Sequence, residues 1–549
     1  MKKESFLKGA LISTICIIIS KILGIIYVIP FHNNIGEKGG ALYSYAYTIY
    51  NLFLTLSTVE LPLAISKIVS EYNTLDYQDA KERAYKISYY FTVVMSIIFS
   101  LILFIFAPQI TTLIKGGIAG GNTQEDIVFV LRIASTAIFF ATILSSTRGY
   151  LQGHSYISVS SYSQVIEQFI RVMIIIVGSY IGMKYLGLKE AVGIAIFGAT
   201  IGAIVALIYL KIKMKKNKQN KNYIIKKEES KITNKYLLKK LIKYAIPFVT
   251  ASIIGSLYAT VDTFTLVKGL VNYGNMTPDN AEAVLGIIAT WGGKLNMIVT
   301  SVASGIVISV LPSLTSDYVS NNIDSIKNKI IKILELLLYF VIPMAVGLSA
   351  LATPIWKIFY GNSALGPEVF KYSIYTSIFS SLFININVIM QSLNRYKKIY
   401  ISLLSGIIFK IIFNIPMIII FNKLNIPSYY APITATILGY TLSIIISLRD
   451  LKKNFQINYS ELAKKVIICI GSILIVAILT STVNYIFPFE NANVLTSIII
   501  VVISALIGCI IYFYITYKTN VFQSIFDKDI TKKIPILKLK QKNNSYKKY

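Results

Sequence analysis

A chain of 549 residues with a formal net charge of +29 would ordinarily suggest several soluble domains and a nucleic-acid partner. Hydrophobic residues make up 55% of it and charged residues 14%, and the segments 87–114, 191–210, 466–489 and 494–517 contain no Asp, Glu, Lys or Arg. Each can cross a hydrocarbon core of about 30 Å as a helix of roughly 20 residues, so a soluble nucleic-acid-binding fold is set aside and an all-α integral membrane protein is expected.

In chain order, apolar runs predict spans near 8–31, 40–66, 87–109, 127–147, 159–182 and 191–211. A lysine-rich linker follows, and then spans near 244–267, 286–312, 333–355, 371–393, 399–421, 430–448, 466–487 and 494–517. That makes about fourteen. Met1-Lys2-Lys3 resembles the charged start of a signal peptide, but the run from Gly9 to Phe31 has no small-residue cleavage site, so it reads as an uncleaved first helix. Lysines crowd 211–243, the loop 449–465 and the tail from Lys518 to Lys548, whereas 32–39, 183–190, 422–429 and 488–493 carry few basic residues. The positive-inside bias then puts both termini in the cytoplasm. Basic loops beside anionic lipid account for the net charge without nucleic acid.

The two halves are weakly alike. Leu61-Pro62-Leu63 with Ser66 aligns with Leu311-Pro312-Ser313 with Ser316, and Ala107-Pro108 with Thr353-Pro354. Gln152 and Arg171 lie 239 residues before Gln391 and Lys410. Internal repeats of this kind are common in secondary transporters. The expected organisation is an N-lobe of six helices over 1–212, a cytoplasmic linker over 213–243, a C-lobe of six helices over 244–448, a terminal pair within 449–517 and a cytoplasmic tail over 518–549. The lobes would be related by a pseudo-two-fold repeat around a central cavity. Pro30, Pro62, Pro247, Pro312, Pro343 and Pro416 suggest kinked helices or span ends.

Charges inside spans are the informative residues, because a charge at helix centre costs roughly 2.5–3.5 kcal/mol on insertion scales. The candidates are Lys21, Glu60, Arg132, Glu167, Arg171, Asp262, Lys294 and Lys410. Lys21 either faces a cavity or snorkels to an interface. Lys294 follows Trp291-Gly292-Gly293, so it faces a cavity or sits at the outer interface beside an aromatic-belt tryptophan. Glu167 and Arg171 are one turn apart, which fits an i,i+4 salt bridge as well as a cavity role. Lys410 has no acid at Gly406 and needs a partner elsewhere, in water or substrate, while Asp262 can pair with a cavity lysine. Arg132, Glu60, Arg148 and Lys67 lie nearer span ends and read as interfacial. Cys16, Cys469 and Cys509 match no metal or redox spacing and read as packing residues. His32 and His154 fall in expected loops, and there is no P-loop or HExxH motif. The glycines around Gly116-Gly117 and Gly120-Gly121 suit a flexible outer loop better than an anion nest. No catalytic residue, metal site or cofactor is expected.

Ser20-Lys21-Ile22-Leu23-Gly24 resembles the first-helix signature of the MurJ-type lipid II flippases. Lys294-Leu295, then Ser304-Gly305 and Leu311-Pro312-Ser313-Leu314, resembles their eighth-helix arginine and the motif after it. Arg148-Gly149-Tyr150-Leu151-Gln152-Gly153, Gln164-Val165-Ile166-Glu167-Gln168 and Arg171-Val172 look similar to a Gram-positive branch that contains the stage V sporulation protein B type. Gly36-Glu37, Tyr43, Ile65-Ser66-Lys67 and Ser70-Glu71-Tyr72 fit the same branch. The resemblance implies the multidrug/oligosaccharidyl-lipid/polysaccharide exporter fold and a flippase, not an enzyme, of the bacterial inner membrane. The implied substrate is a polyprenyl-diphosphate-linked sugar, lipid II or another precursor of capsule, teichoic acid or spore cortex; a drug/cation antiporter of the same fold is the rival. Lys21, Lys294, Arg171 and Lys410 would bind it, Glu167 and Asp262 would support them, and a coupling ion or the membrane potential would drive it. The chain departs from the flippase pattern at Ile25-Ile26-Tyr27 and Asn51-Leu52-Phe53-Leu54, where arginines are expected. Reporter fusions placed in the 213–243 linker and the tail should give cytoplasmic signals; an outer-side signal from either contradicts the topology.

Overall fold

The structure is a computed structural model and describes residues 6–58, 61–154, 156–215, 229, 232–486, 488–489 and 492–526. Glu60, most of the lysine-rich linker and most of the tail lie outside the described residues. Among the described residues every regular element is helical. Eleven helices are long and apolar enough to cross a membrane, or up to twelve if a bent pair counts as one span. The expected spans near 8–31 and 40–66 both fall on that bent pair, and the one near 244–267 coincides with a helix over Asn234–Tyr273, so the described helices do not establish the count of fourteen. Exposed side chains settle what surrounds these helices. Ile498, Ile499, Val502, Ile503, Leu506, Ile507 and Ile510 all face outward from the helix Val494–Lys518, and Val94, Ile97, Ile98, Leu101, Phe104 and Ile105 do so from Gln78–Lys115. Apolar faces this large are stable only against lipid or a partner.

The chain falls into two compact units, residues 1–294 with 403–436 and residues 295–402 with 437–549. The first unit begins with α1 (Phe6–Ile26) and α2 (Val28–Thr58), bent by 43° from one to the other. Pro30 lacks the N–H that would close on the carbonyl of Ile26, which explains the break. Gly36, at φ 65°, interrupts α2. Then follow α3 (Leu61–Thr74), α4 (Gln78–Lys115), α5 (Gln124–Gly153) and α6 (Ile157–Met173). A π-helical turn (Ile174–Gly178), α7 (Ser179–Tyr185) and α8 (Leu188–Lys215) complete the first half. Next come α9 (Asn234–Tyr273), α10 (Pro278–Gly286), a second π-helical turn (Ile287–Trp291) and the start of α11 (Gly292–Val319). The unit also takes residues 403–423 of the helix Tyr396–Lys423 and the first turns of Ala431–Phe455.

Small residues set the spacing of α6 and α8. A Cβ on Gly202 would sit 2.7 Å from the carbonyl oxygen of Glu167, and one on Gly198 would sit 3.1 Å from that of Arg171. Gly198 and Gly202 thus form a small-xxx-small seam that lets α8 lie against the backbone of α6. At one end of this unit the two basic segments meet. Arg83 donates to the carbonyl of Ile232 at 2.8 Å, and Lys240 pairs with Glu71 at 2.6 Å. Burial disfavours the Lys240 ammonium, but the Glu71 carboxylate and Tyr72 hold its pKa above the ordinary value. The loop after the second span and the end of the linker are therefore in contact.

The second unit holds the helices Ile323–Ala350, Ala352–Tyr360, Leu365–Ser373, Thr376–Ser392, Ser460–Ile486 and Val494–Lys518 with parts of their neighbours. Tyr339, Ile342, Cys469, Ile473, Val476 and Tyr512 form its apolar cluster. Tyr512 donates to the carbonyl of Tyr339 at 2.9 Å, and the Tyr339 and Thr516 hydroxyls lie 3.0 Å apart. An apolar cavity of about 310 Å³ opens beside Pro343, Gly347, Val476 and Gly508. Arg395 clasps Asp450 with two hydrogen bonds of 2.9 and 2.8 Å, and Lys465 pairs with Glu335 at 2.6 Å.

Gly202→Leu should force α8 off α6, because backbone rather than a flexible side chain meets the new atoms. Overpacking costs about 1–3 kcal/mol, so the purified variant should melt several degrees below wild type, while Gly471→Leu, at a glycine with nothing within 4 Å of a new Cβ, should not.

Candidate functional site

The six residues that the resemblance assigns to the site, Lys21, Glu167, Arg171, Asp262, Lys294 and Lys410, all lie in the first unit. Helical geometry puts residues i, i+4 and i+7 on one face, and on α2 these are Tyr43, Tyr47 and Tyr50. The rings of Tyr43 and Tyr47 are stacked 5.4 Å apart, and Tyr50 lies 6.0 Å beyond Tyr47. Tyr27, at the bend before α2, joins them through Phe31, whose ring centroid lies 6.1 Å from that of Tyr27 and 5.2 Å from that of Tyr43. Arg171 reaches into this group from α6. Its guanidinium stands over the Tyr47 ring, 5.3 Å from the ring centroid. Lys294 approaches from α11, with Nζ 5.3 Å from the Tyr27 ring and close enough to act on the Tyr43 and Tyr47 hydroxyls. Arg171 and Lys294 therefore share one set of tyrosines. Contact with aromatic faces stabilises a cation without cancelling its charge.

Two irregular turns help to aim them. Arg171 lies three residues before the π-helical turn at Ile174, and Lys294 three residues after the one that ends at Trp291. Such turns shift the register of a helix and often occur at functional positions. Trp291 is fully buried, with its ring centroid 5.8 Å from Phe31 and 4.8 Å from His32. The aromatic-belt reading is therefore corrected: Trp291 is a core residue, seated where Gly40 leaves room. A Cβ on Gly40 would lie 2.3 Å from the indole nitrogen. His32, expected in a loop, is buried within α2.

The expected Glu167–Arg171 pair is also corrected. Glu167 pairs with Arg148 of α5 at 2.8 Å, and Arg148 donates to Ser163 at 2.8 Å. Spacing of i,i+4 permits the intrahelical bridge, but the longer Arg171 side chain finds its partners on α2, which leaves Glu167 to Arg148. Asp262 does pair with a lysine, namely Lys410, at 2.6 Å. Lys410 is fully buried and its ammonium is engaged, so this geometry does not present it to a ligand. Lys21 lies half-buried on α1, and Arg132 and Lys67 are exposed.

A polar knot that the sequence reading passed over lies at the other end of the unit. The buried Glu282 accepts from the Asn122 backbone at 2.8 Å, from the Asn122 amide at 2.6 Å and from Tyr45 at 3.3 Å. Lys115 stands 4.0 Å away and donates to the carbonyls of Gly120 and Asn122. The glycine loop thus turns carbonyls towards an ammonium, the opposite of an anion nest.

Long apolar helices with a basic, tyrosine-lined site define a multi-pass membrane transport protein. Residues 6–316 match the family model for polysaccharide biosynthesis proteins. The chain is 30% identical to the lipid II flippase MurJ of Bacillus subtilis (strain 168) over 538 residues, which are 96% of this chain and 97% of that protein. It is 27% identical to stage V sporulation protein B of the same organism over 279 residues, 50% of this chain and 52% of that one. A solved structure of the lipid II flippase MurJ in an inward closed conformation superposes with a TM-score of 0.66 at 17% identity, covering 94% of this chain and 99% of that one. The chain belongs to the polysaccharide biosynthesis protein family, in which its relatives are transport proteins rather than enzymes.

Arg148→Gln and Glu167→Gln should each lower stability by about 1.5–3 kcal/mol, the range for a hydrogen bond to a charged group. Together they should cost less than their sum. Arg171→Gln should add to Glu167→Gln without coupling; a double-mutant cycle on thermal stability measures both.

Proposed function

We propose that the chain is a flippase that carries a polyprenyl-diphosphate-linked sugar, lipid II foremost, from the cytoplasmic to the outer leaflet by alternating access. The observation that carries this reading is the convergence of Arg171 and Lys294 on Tyr27, Tyr43 and Tyr47 inside apolar spans. A diphosphate cannot enter hydrocarbon unaided. Two cations set against neutral aromatic rings keep a net positive charge to receive it, and hydrogen bonds between ionised partners are the strong ones. The 96% coverage of a lipid II flippase relative supports the same substrate. Lys21, on the first-helix signature, is assigned to the same anion. A drug/cation antiporter would need an acidic site, whereas Glu167 and Asp262 are both neutralised within the protein.

The same reading places the protein in a bacterial cytoplasmic membrane with fourteen spans and both termini cytoplasmic. Its lobes are 1–212 and 244–448, and its energy comes from the membrane potential or an ion gradient. A second substrate reading, another lipid-linked polysaccharide precursor, is favoured by Tyr27 and by Asn51-Leu52-Phe53-Leu54, which stand where the flippase pattern has arginine.

The test is translocation of labelled lipid II in proteoliposomes, beside other polyprenyl-linked sugars. Arg171→Ala and Lys294→Ala should each slow flipping roughly tenfold or more, since a hydrogen bond to a charged group contributes about 1.5–3 kcal/mol. Lys21→Arg should retain activity and Lys21→Glu should abolish it. Wild-type rates in Lys21→Glu, or no transport of any lipid-linked sugar by wild type, would contradict the assignment.

A further inference from the structure

Lys410 lies at the centre of an apolar stretch and is 0% exposed. Its ammonium donates to Oδ2 of Asp262 at 2.6 Å and to the hydroxyl of Thr436. Asn414, one turn further on the same helix, donates to Oδ1 of Asp262 at 3.3 Å and to the hydroxyl of Thr265 at 2.7 Å. Three helices thus bring together one ammonium, one carboxylate, one amide and two hydroxyls, with the ammonium bonded to Asp262 and Thr436 and the amide to Asp262 and Thr265. The face of Tyr258 flanks it, with its ring centroid 5.8 Å from Nζ.

The cluster holds more acceptor capacity than the ammonium uses. Asn414 is wholly buried, yet its Oδ1 has no hydrogen-bond partner. Buried polar atoms are nearly always partnered, so an orphan carbonyl oxygen beside a carboxylate marks a place suited to a cation. The donor set is oxygen only, without imidazole or thiolate, which suits hard cations rather than transition metals. One carboxylate balances one positive charge, so the matching ion is monovalent. We infer that this cluster is a monovalent-cation site whose cation is tethered: the Lys410 ammonium occupies the place that an alkali-metal ion would otherwise fill. A free ion can be taken up and released with each cycle, whereas a side chain cannot leave. This chain therefore holds α9 and the helices Tyr396–Lys423 and Ala431–Phe455 together at this point without drawing an ion from solution.

The inference concerns binding and needs no transported substrate, so it stands or falls apart from the flippase reading. Thermal unfolding of the purified full-length protein would be followed in sodium, potassium and choline chloride at equal ionic strength. Wild type and Lys410→Arg should melt at the same temperature in all three. Lys410→Ala leaves Asp262 buried without its counter-charge. It should be strongly destabilised in choline and regain about 3 °C or more in sodium or potassium, because an ion that binds only the folded state stabilises it by mass action. The double variant Lys410→Ala/Asp262→Asn should lose that response. An alkali-ion-specific rise in wild type overturns the inference, because it shows a free ion binding with the lysine in place. Failure of Lys410→Ala to recover in any alkali-metal chloride, whether as an unresponsive fold or as no fold, overturns it as well.

Discussion

Water is absent from the hydrocarbon core, so every ionised side chain placed there must find its counter-charge or its hydrogen bonds within the protein. The first unit meets this constraint in two different ways. Lys410 with Asp262, and Arg148 with Glu167, are closed ion pairs at 2.6 and 2.8 Å. Such pairs contribute little net stability compared with apolar residues, but losing one partner is costly. They behave as fixed joints. Arg171 and Lys294 instead lie over tyrosine rings, which lower the cost of burial and leave the charge uncancelled. That difference separates residues that hold helices together from residues able to receive an anion.

The repeat sharpens the contrast. Arg171 and Lys410 share an offset of 239 residues with Gln152 and Gln391, yet one faces tyrosines and the other a carboxylate. Position 406, a turn before Lys410, is glycine, while position 167, a turn before Arg171, is glutamate. Neither cation uses its own helix for neutralisation. Each is committed by what the facing helix offers, Tyr47 in one case and Asp262 in the other. Related positions in two halves can therefore keep the same charge and do different work.

The all-helical, membrane-spanning character of the fold was legible in the sequence because span length follows directly from bilayer thickness. The pairing of Asp262 with a lysine was legible too, since a deep acid needs a base. What escaped reading depends on side-chain reach between helices. Spacing alone made Glu167 and Arg171 partners, but Arg148 comes from another helix. The stripe Tyr43, Tyr47, Tyr50 was visible as a helical period, but tyrosine in a span reads equally well as core or interface. Trp291 looked like a belt residue until Gly40, 251 positions earlier, proved to make room for it. Glu282 sits in what reads as an ordinary helix start, and only the fold of the loop before α5 surrounds it with donors.

The central claim is that uncancelled charge on Arg171 and Lys294 receives the diphosphate of a polyprenyl lipid. The most direct measurement is equilibrium binding of polyprenyl diphosphate, polyprenyl monophosphate and neutral polyprenol to the purified protein and to Arg171→Gln/Lys294→Gln. The account predicts that affinity falls in that order for wild type, weakens with added salt, and becomes nearly equal for the three lipids in the double variant. Equal affinity of wild type for polyprenol and polyprenyl diphosphate, or an unchanged preference in the double variant, would contradict it.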